Sequence, residues 1–258
     1  MPFGFWKRWK RRRILAKTRP APLERWTQQH VRCWGRLHSS QQKRLQNAAW
    51  VIFHERRFEA SRGFQLTDEM KWVVASNAAL MLLGVDDYYF DGIPTILIQP
   101  ETFFVPQKER WTVKHVASSG AAWQHGPIVL AWSDCQTGSP LRRNGRNVII
   151  HEFAHHLDGL DGEMGGSIHW STTELAERWD QLIATELDVM QSQIRLGQPV
   201  FLDPYAATNP AEFFAVASEY FFEEPRRFQT HHPALFEMLA QFYHYNPLLP
   251  QDPSFSDV

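Results

Sequence analysis

The sequence predicts an α+β fold, a mainly helical body with a small sheet just upstream of one chemically distinctive helix. Three observations predict it. Apolar residues recur at helical spacing over 20–85 and again beyond 148. Short apolar runs bounded by Gly and Pro lie between 88 and 132. An amphipathic segment, Asn147 to Leu157, follows a polar loop directly. With 258 residues, 43% of them hydrophobic, the chain has material for one core, or a core plus a satellite.

Taken in order, Leu23 to Gly35, Gln41 to Phe58 and Thr67 to Leu83 read as helices, the last with Thr67 as N-cap and Met70 at N3. Ile96-Leu97-Ile98 and Ile128 to Trp132 are short apolar runs fenced by Gly92, Pro94, Pro100, Gly126 and Pro127, so they read as strands. A polar loop covers Ser133 to Arg146. Helices follow at Val148 to Leu157, Thr172 to Leu196, Pro210 to Glu223 and Pro233 to Tyr243, with a turn-rich stretch from Gly159 to Gly166. Residues 1–20 form a basic tail, and 21–258 one domain with a helical part (21–85) and a catalytic part (86–258).

Net charge is −1, so the molecule as a whole carries no field that demands nucleic acid or a membrane. The charge is uneven: residues 1–19 hold eight of the 27 basic residues and none of the 28 acidic ones. This stretch lacks the apolar core of a signal peptide, because Ile14-Leu15-Ala16 runs straight into Lys17. It reads as a solvated, frayed terminus rather than a surface or partner contact. The longest apolar stretch, Trp72 to Val85, is too short to span a bilayer, and Cys33 and Cys135 make no disulfide framework. The expectation is a soluble cytoplasmic protein.

On a helical wheel with His151 at zero, His155 falls at about 40°, Glu152 at about 100° and Asp158 at about −20°; Ile150, Phe153, Ala154 and Leu157 fall on the opposite side. One stripe buries itself, and the other presents two imidazoles one turn apart with a carboxylate beside them. That pattern, His-Glu-x-x-His on a helix, suits Zn²⁺ held by neutral imidazoles, with an acid placed to act on water. Chance would put it in a chain with 12 His and 16 Glu with a probability of only ~0.03.

A catalytic zinc site needs a third protein ligand and an open fourth position. The candidate is Glu212, in Asn209-Pro210-Ala211-Glu212-Phe213-Phe214. Glu212 also sits where an acid completes a capping box with Asn209, and the two roles are compatible, one oxygen for each. The helix after it is apolar almost all round, which implies burial, and a buried carboxylate must be paired or bound to metal. Glu219, on the same face as Glu212, and Asp158 are both candidates for orienting a histidine ligand. His156, His169, His231 and His232 read as surface or capping residues.

Three segments carry a resemblance: Asn147 to His155, Tyr205-Ala206-Ala207-Thr208-Asn209-Pro210-Ala211-Glu212-Phe213-Phe214, and Gly126 to Trp132. Together they resemble the Mlc titration factor A family, bacterial cytosolic zinc peptidases related in their catalytic region to anthrax lethal factor. The resemblance implies a zincin-type fold with one Zn²⁺ on His151, His155 and Glu212. It also implies Glu152 as catalytic base, Tyr205 as a transition-state stabiliser, and aminopeptidase-like cleavage of short peptides. It further implies binding to a glucose-responsive transcriptional repressor of the Mlc type, with consequences for sugar uptake. For Tyr205 the residues alone leave a core aromatic after Pro204 equally open. An amino-terminus reader would need an acid near the cleft, for which Asp161 and Glu163 are candidates, and Ile128 to Trp132 is a candidate edge for pairing with peptide backbone. The rival reading is a regulator that sequesters the repressor, with weak or incidental peptidase activity.

Overall fold

A computed structural model of the chain describes residues 3–101, 103–109, 112–118, 120–122, 126–136, 145–161 and 165–249. The basic segment expected as a frayed terminus is instead a docked helix, α1 (Phe3–Leu15). Arg11 is buried, and its guanidinium reaches Glu55 at 3.1 Å, the Asp87 carbonyl at 3.0 Å and the Asp91 carboxylate. Trp50 Nε1 donates to the Ile14 carbonyl at 2.9 Å. A buried guanidinium is tolerable only where several oxygens receive it. Here they come from residues more than forty positions away, so a run of Arg and Lys does not reveal them.

Helices α2 (Pro22–His30) and α3 (Ser39–Glu55) are shorter than their spacing predicts. The first breaks where Val31 turns extended, and only a single tight turn, Trp34–Arg36, follows. The second stops at Glu55, and the chain enters strand β1 (Arg57–Ala60), which places Phe58 in a sheet rather than a helix. α4 (Asp68–Leu80) begins as expected, with the Met70 amide donating to Thr67 Oγ1 at 3.2 Å, and ends short of Leu83.

The strands that follow are β2 (Thr95–Gln99), β3 (Phe103–Glu109), β4 (Thr112–Ser118), β5 (Gly120–Ala122) and β6 (Ile128–Ala131). One sheet has the order β1-β2-β6-β5, its first three strands parallel and β5 antiparallel to β6. β3 and β4 form a separate antiparallel pair. All four residues of β6 are buried, as suits an interior strand. That interior position corrects one expectation: Ile128 to Trp132 offers no free edge to a peptide, because β5 occupies it. Gly120–Ala122 has none of the β-branched residues that would signal a strand. Trp132 leaves the sheet and opens a short helix, α5 (Trp132–Cys135). Most of the expected polar loop, 137–144, lies outside the described residues.

The remaining helices are α6 (Val148–Asp158), α7 (Thr173–Arg195), α8 (Pro210–Glu223), α9 (Pro225–His231) and α10 (Pro233–Phe242). Asn147, Thr172 and Asn209 cap α6, α7 and α8 through the amides of Ile150, Leu175 and Glu212. The short α9, opened by Pro225, escaped the periodicity. One apolar core joins residues from Ile14 to Tyr245, and within it α6 packs against α4, α8, β5 and β6.

Candidate metal centre

α6 is buried along nearly its whole length, with only His156 partly exposed. Phe153 packs edge-on against Phe90, ring centroids 4.6 Å apart, and this apolar anchoring fixes the opposite side of the helix. There His151 and His155 stand one turn apart, their Nε2 atoms separated by 3.1 Å. Glu212 Oε2, on the first turn of α8, lies 3.0 Å from His151 Nε2 and 3.3 Å from His155 Nε2. Among the described residues these three converge as a set able to hold a metal ion.

The spacing fits zinc. Tetrahedral ligands at about 2.0–2.1 Å from the ion stand about 3.3 Å from one another, and the three donor atoms are separated by 3.0, 3.1 and 3.3 Å. The Glu212 amide donates to Asn209 Oδ1 at 2.9 Å, so the residue takes part in the helix cap through its backbone while its carboxylate turns to the imidazoles. Beside them Glu152 is buried, and its Oε2 has no hydrogen-bond partner among the described residues. A buried carboxylate oxygen without a partner is costly in a stable fold, and this one lies beside the His151–His155–Glu212 cluster.

Behind this cluster the two candidate orienting acids part company. Glu219, fully buried, places Oε1 2.8 Å from His151 Nδ1 and accepts from the Asn147 amide with Oε2. Asp158 turns away and accepts from the Gly166 amide at 2.8 and 3.0 Å, tying the Gly-rich loop to the end of α6. The sequence missed Asn147 as a junction: its Nδ2 donates to Asn77 Oδ1 at 3.0 Å and to Glu223 Oε1 at 2.6 Å. Only its position as N-cap hinted at a role.

The electrostatics follow from this crowding. Burial pushes the Glu152 carboxyl up to about 7, against the pull of His151 and His155. Burial alone would lower His151, but hydrogen bonds with Glu212 and Glu219 outweigh it and hold the ring at about 10. Burial would raise Glu212, but both imidazoles hold its pKa below the usual carboxylate range. Three carboxylates around two rings make a pocket that attracts a cation.

Tyr205 lies on the tight turn Pro204–Thr208 that feeds α8, held by Asp203 Oδ1, which accepts from its amide at 2.9 Å. Its ring centroid is 6.1 Å from that of His151. Burial, the Glu212 charge and a hydrogen bond with Glu212 raise the phenol above its ordinary pKa. Tyr205 is thus part of the cluster and half-open to solvent, not a core aromatic. Arg146, which no local sequence signal singles out, sits 5.8 Å from the centroid of the Tyr205 ring and 3.5 Å from Asp203 Oδ2. Of the histidines expected at the surface or in caps, His156 bonds the Tyr88 hydroxyl, His169 is exposed, His231 stacks on Phe201 and His232 pairs with Glu186. Glu163 and the Asp161 side chain lie outside the described residues.

A family model described as glucose-regulated metallo-peptidase M90 matches residues 6–244. The chain is 30% identical to the uncharacterized protein slr2042 of Synechocystis sp. over 96% of this chain and 92% of that protein. It is 34% identical to Mlc titration factor A of Escherichia fergusonii, covering 83% of this chain and 82% of the relative. For Mlc titration factor A of Klebsiella pneumoniae the identity is 32%, over 82% of each chain.

Proposed function

We propose, for a chain that belongs to the glucose-regulated M90 metallopeptidase family, that it is a zinc-dependent peptidase of short peptides in the cytoplasm. The observation that carries this reading is the convergence of His151, His155 and Glu212 beside a buried, partly unpartnered Glu152. The first three would hold the zinc. When bound, zinc supplies Lewis acidity, polarising a scissile carbonyl and making water acidic enough to lose its proton near neutral pH. Glu152 takes that proton and delivers it to the leaving amine. Tyr205 donates its hydroxyl to the oxygen of the tetrahedral intermediate. Glu219 holds His151 by Nδ1 and so keeps Nε2 directed at the ligand cluster. Profiling a peptide library with wild type and Glu152→Gln side by side tests the reading: cleavage by wild type alone is expected, and cleavage by neither sinks it.

The finer part of the reading is aminopeptidase-like cleavage. A peptide with a free amino terminus should then turn over faster than its N-acetylated form, whereas equal turnover leaves an endopeptidase.

Relatives bearing the name Mlc titration factor A favour a second role, binding a transcriptional repressor of the Mlc type. In that reading the chain regulates by sequestration, and its peptidase activity is incidental. Glu152→Gln separates the two: a variant without hydrolysis that still binds the repressor shows that sequestration is independent of catalysis. Failure of the wild type to bind the repressor removes the role.

A further inference from the structure

Helix α1 has two unlike faces. Arg11 and Ile14 bury themselves against α3 and the Asp87–Asp91 turn, which pins the helix. On the opposite side Phe5, Trp6 and Trp9 are 77%, 61% and 49% exposed. At 100° per residue these three rings share about 100° of arc, and the exposed Arg12 and Arg13 lie among and beside them. Arg13 sits 4.8 Å from the Trp9 ring centroid. Arg8 and Lys10 border the arc and remain half-exposed or more although each lies near an acid. The helix holds six Lys and Arg residues and no acid, in a chain whose net charge is −1.

We propose that this face of α1 is a docking surface for an anionic lipid bilayer. Large aromatic rings on a helix face are costly in water, and a contiguous exposed set marks a contact. Trp and Phe with Lys and Arg at their flanks match a helix lying in the plane of a bilayer: the rings settle among the headgroups and the cations meet lipid phosphates and carboxylates. A single-stranded nucleic acid would need a basic groove around its stacking platforms, and a lone helix ridge provides none. A second copy docking through the same face would oppose two basic surfaces. No described helix is long and apolar enough to cross a membrane, so the contact is peripheral.

The test is co-sedimentation of the full chain with vesicles of phosphatidylcholine alone or of equal parts phosphatidylcholine and phosphatidylserine. Binding to the mixed vesicles should be at least about tenfold tighter, and salt should weaken it. Arg12→Glu with Arg13→Glu, and separately Trp6→Ser with Trp9→Ser, should each weaken it at least about tenfold. These side chains are exposed, so thermal unfolding and zinc content should match the wild type. Equal binding to both vesicle types, or mixed-vesicle binding that both variants retain, overturns the proposal. So does an absence of vesicle binding, whether the face then captures a short nucleic acid or supports a dimer that Trp6→Ser with Trp9→Ser abolishes.

Discussion

Glu219 Oε1 stands 2.8 Å from His151 Nδ1, so a carboxylate on α8 sets the orientation of an imidazole on α6. Glu219→Gln keeps the shape but loses the charge that makes His151 a strong donor. Zinc affinity, measured by competition with a chromophoric chelator, should fall about 10–100-fold. Unchanged affinity would reduce Glu219 to a structural residue.

Asp158 provides the control. Its carboxylate accepts from the Gly166 amide, while His151 Nδ1 is held by Glu219, so Asp158→Asn should leave zinc affinity intact. It should cost about 1–3 kcal/mol of stability by weakening a buried, charge-assisted bond, read from denaturant unfolding. A drop in zinc affinity matching that of Glu219→Gln would reverse the assignment.

Glu152→Gln should retain zinc while hydrolysis falls at least ~10²-fold, since an amide cannot accept the proton. Tyr205→Phe should also retain zinc and lose about 10²–10³ in kcat if its hydroxyl serves the oxyanion. Glu212→Gln should instead weaken zinc retention itself. Equal zinc affinity in that variant would return Glu212 to the role of helix cap.

Removing the metal with a chelator should abolish hydrolysis and lower Tm, because an ion that binds only the folded chain stabilises it by mass action. Readdition of about one zinc per chain should restore both. A Tm indifferent to zinc would place the ion, if bound at all, away from α6 and α8.

Gly166→Ala tests how a distant loop seats the site. Gly166 has φ +79°, and an added Cβ would lie 2.6 Å from the Pro210 backbone, two residues before Glu212. Left-handed strain alone costs about 1–3 kcal/mol. The contact should also shift the start of α8, so both stability and zinc affinity should fall. Loss of stability without loss of zinc affinity would show that the two ends are uncoupled.

The sequence by itself determined the elements whose signals are local. Thr67, Asn147, Thr172 and Asn209 cap their helices as their side chains dictate, and the four-residue spacing of His151 and His155 places both rings on one side of α6. Only the tertiary structure decided what depends on partners far along the chain. It brought Glu212 within 3.3 Å of both rings, chose Glu219 over Asp158 to hold His151, buried Arg11 among Glu55, Asp87 and Asp91, and covered the edge of β6 with Gly120–Ala122. The physical reason is that caps and helical periodicity arise within a few residues. Burial of a charge, pairing of a short strand and convergence of ligands are settled only when packing makes separated residues share one environment.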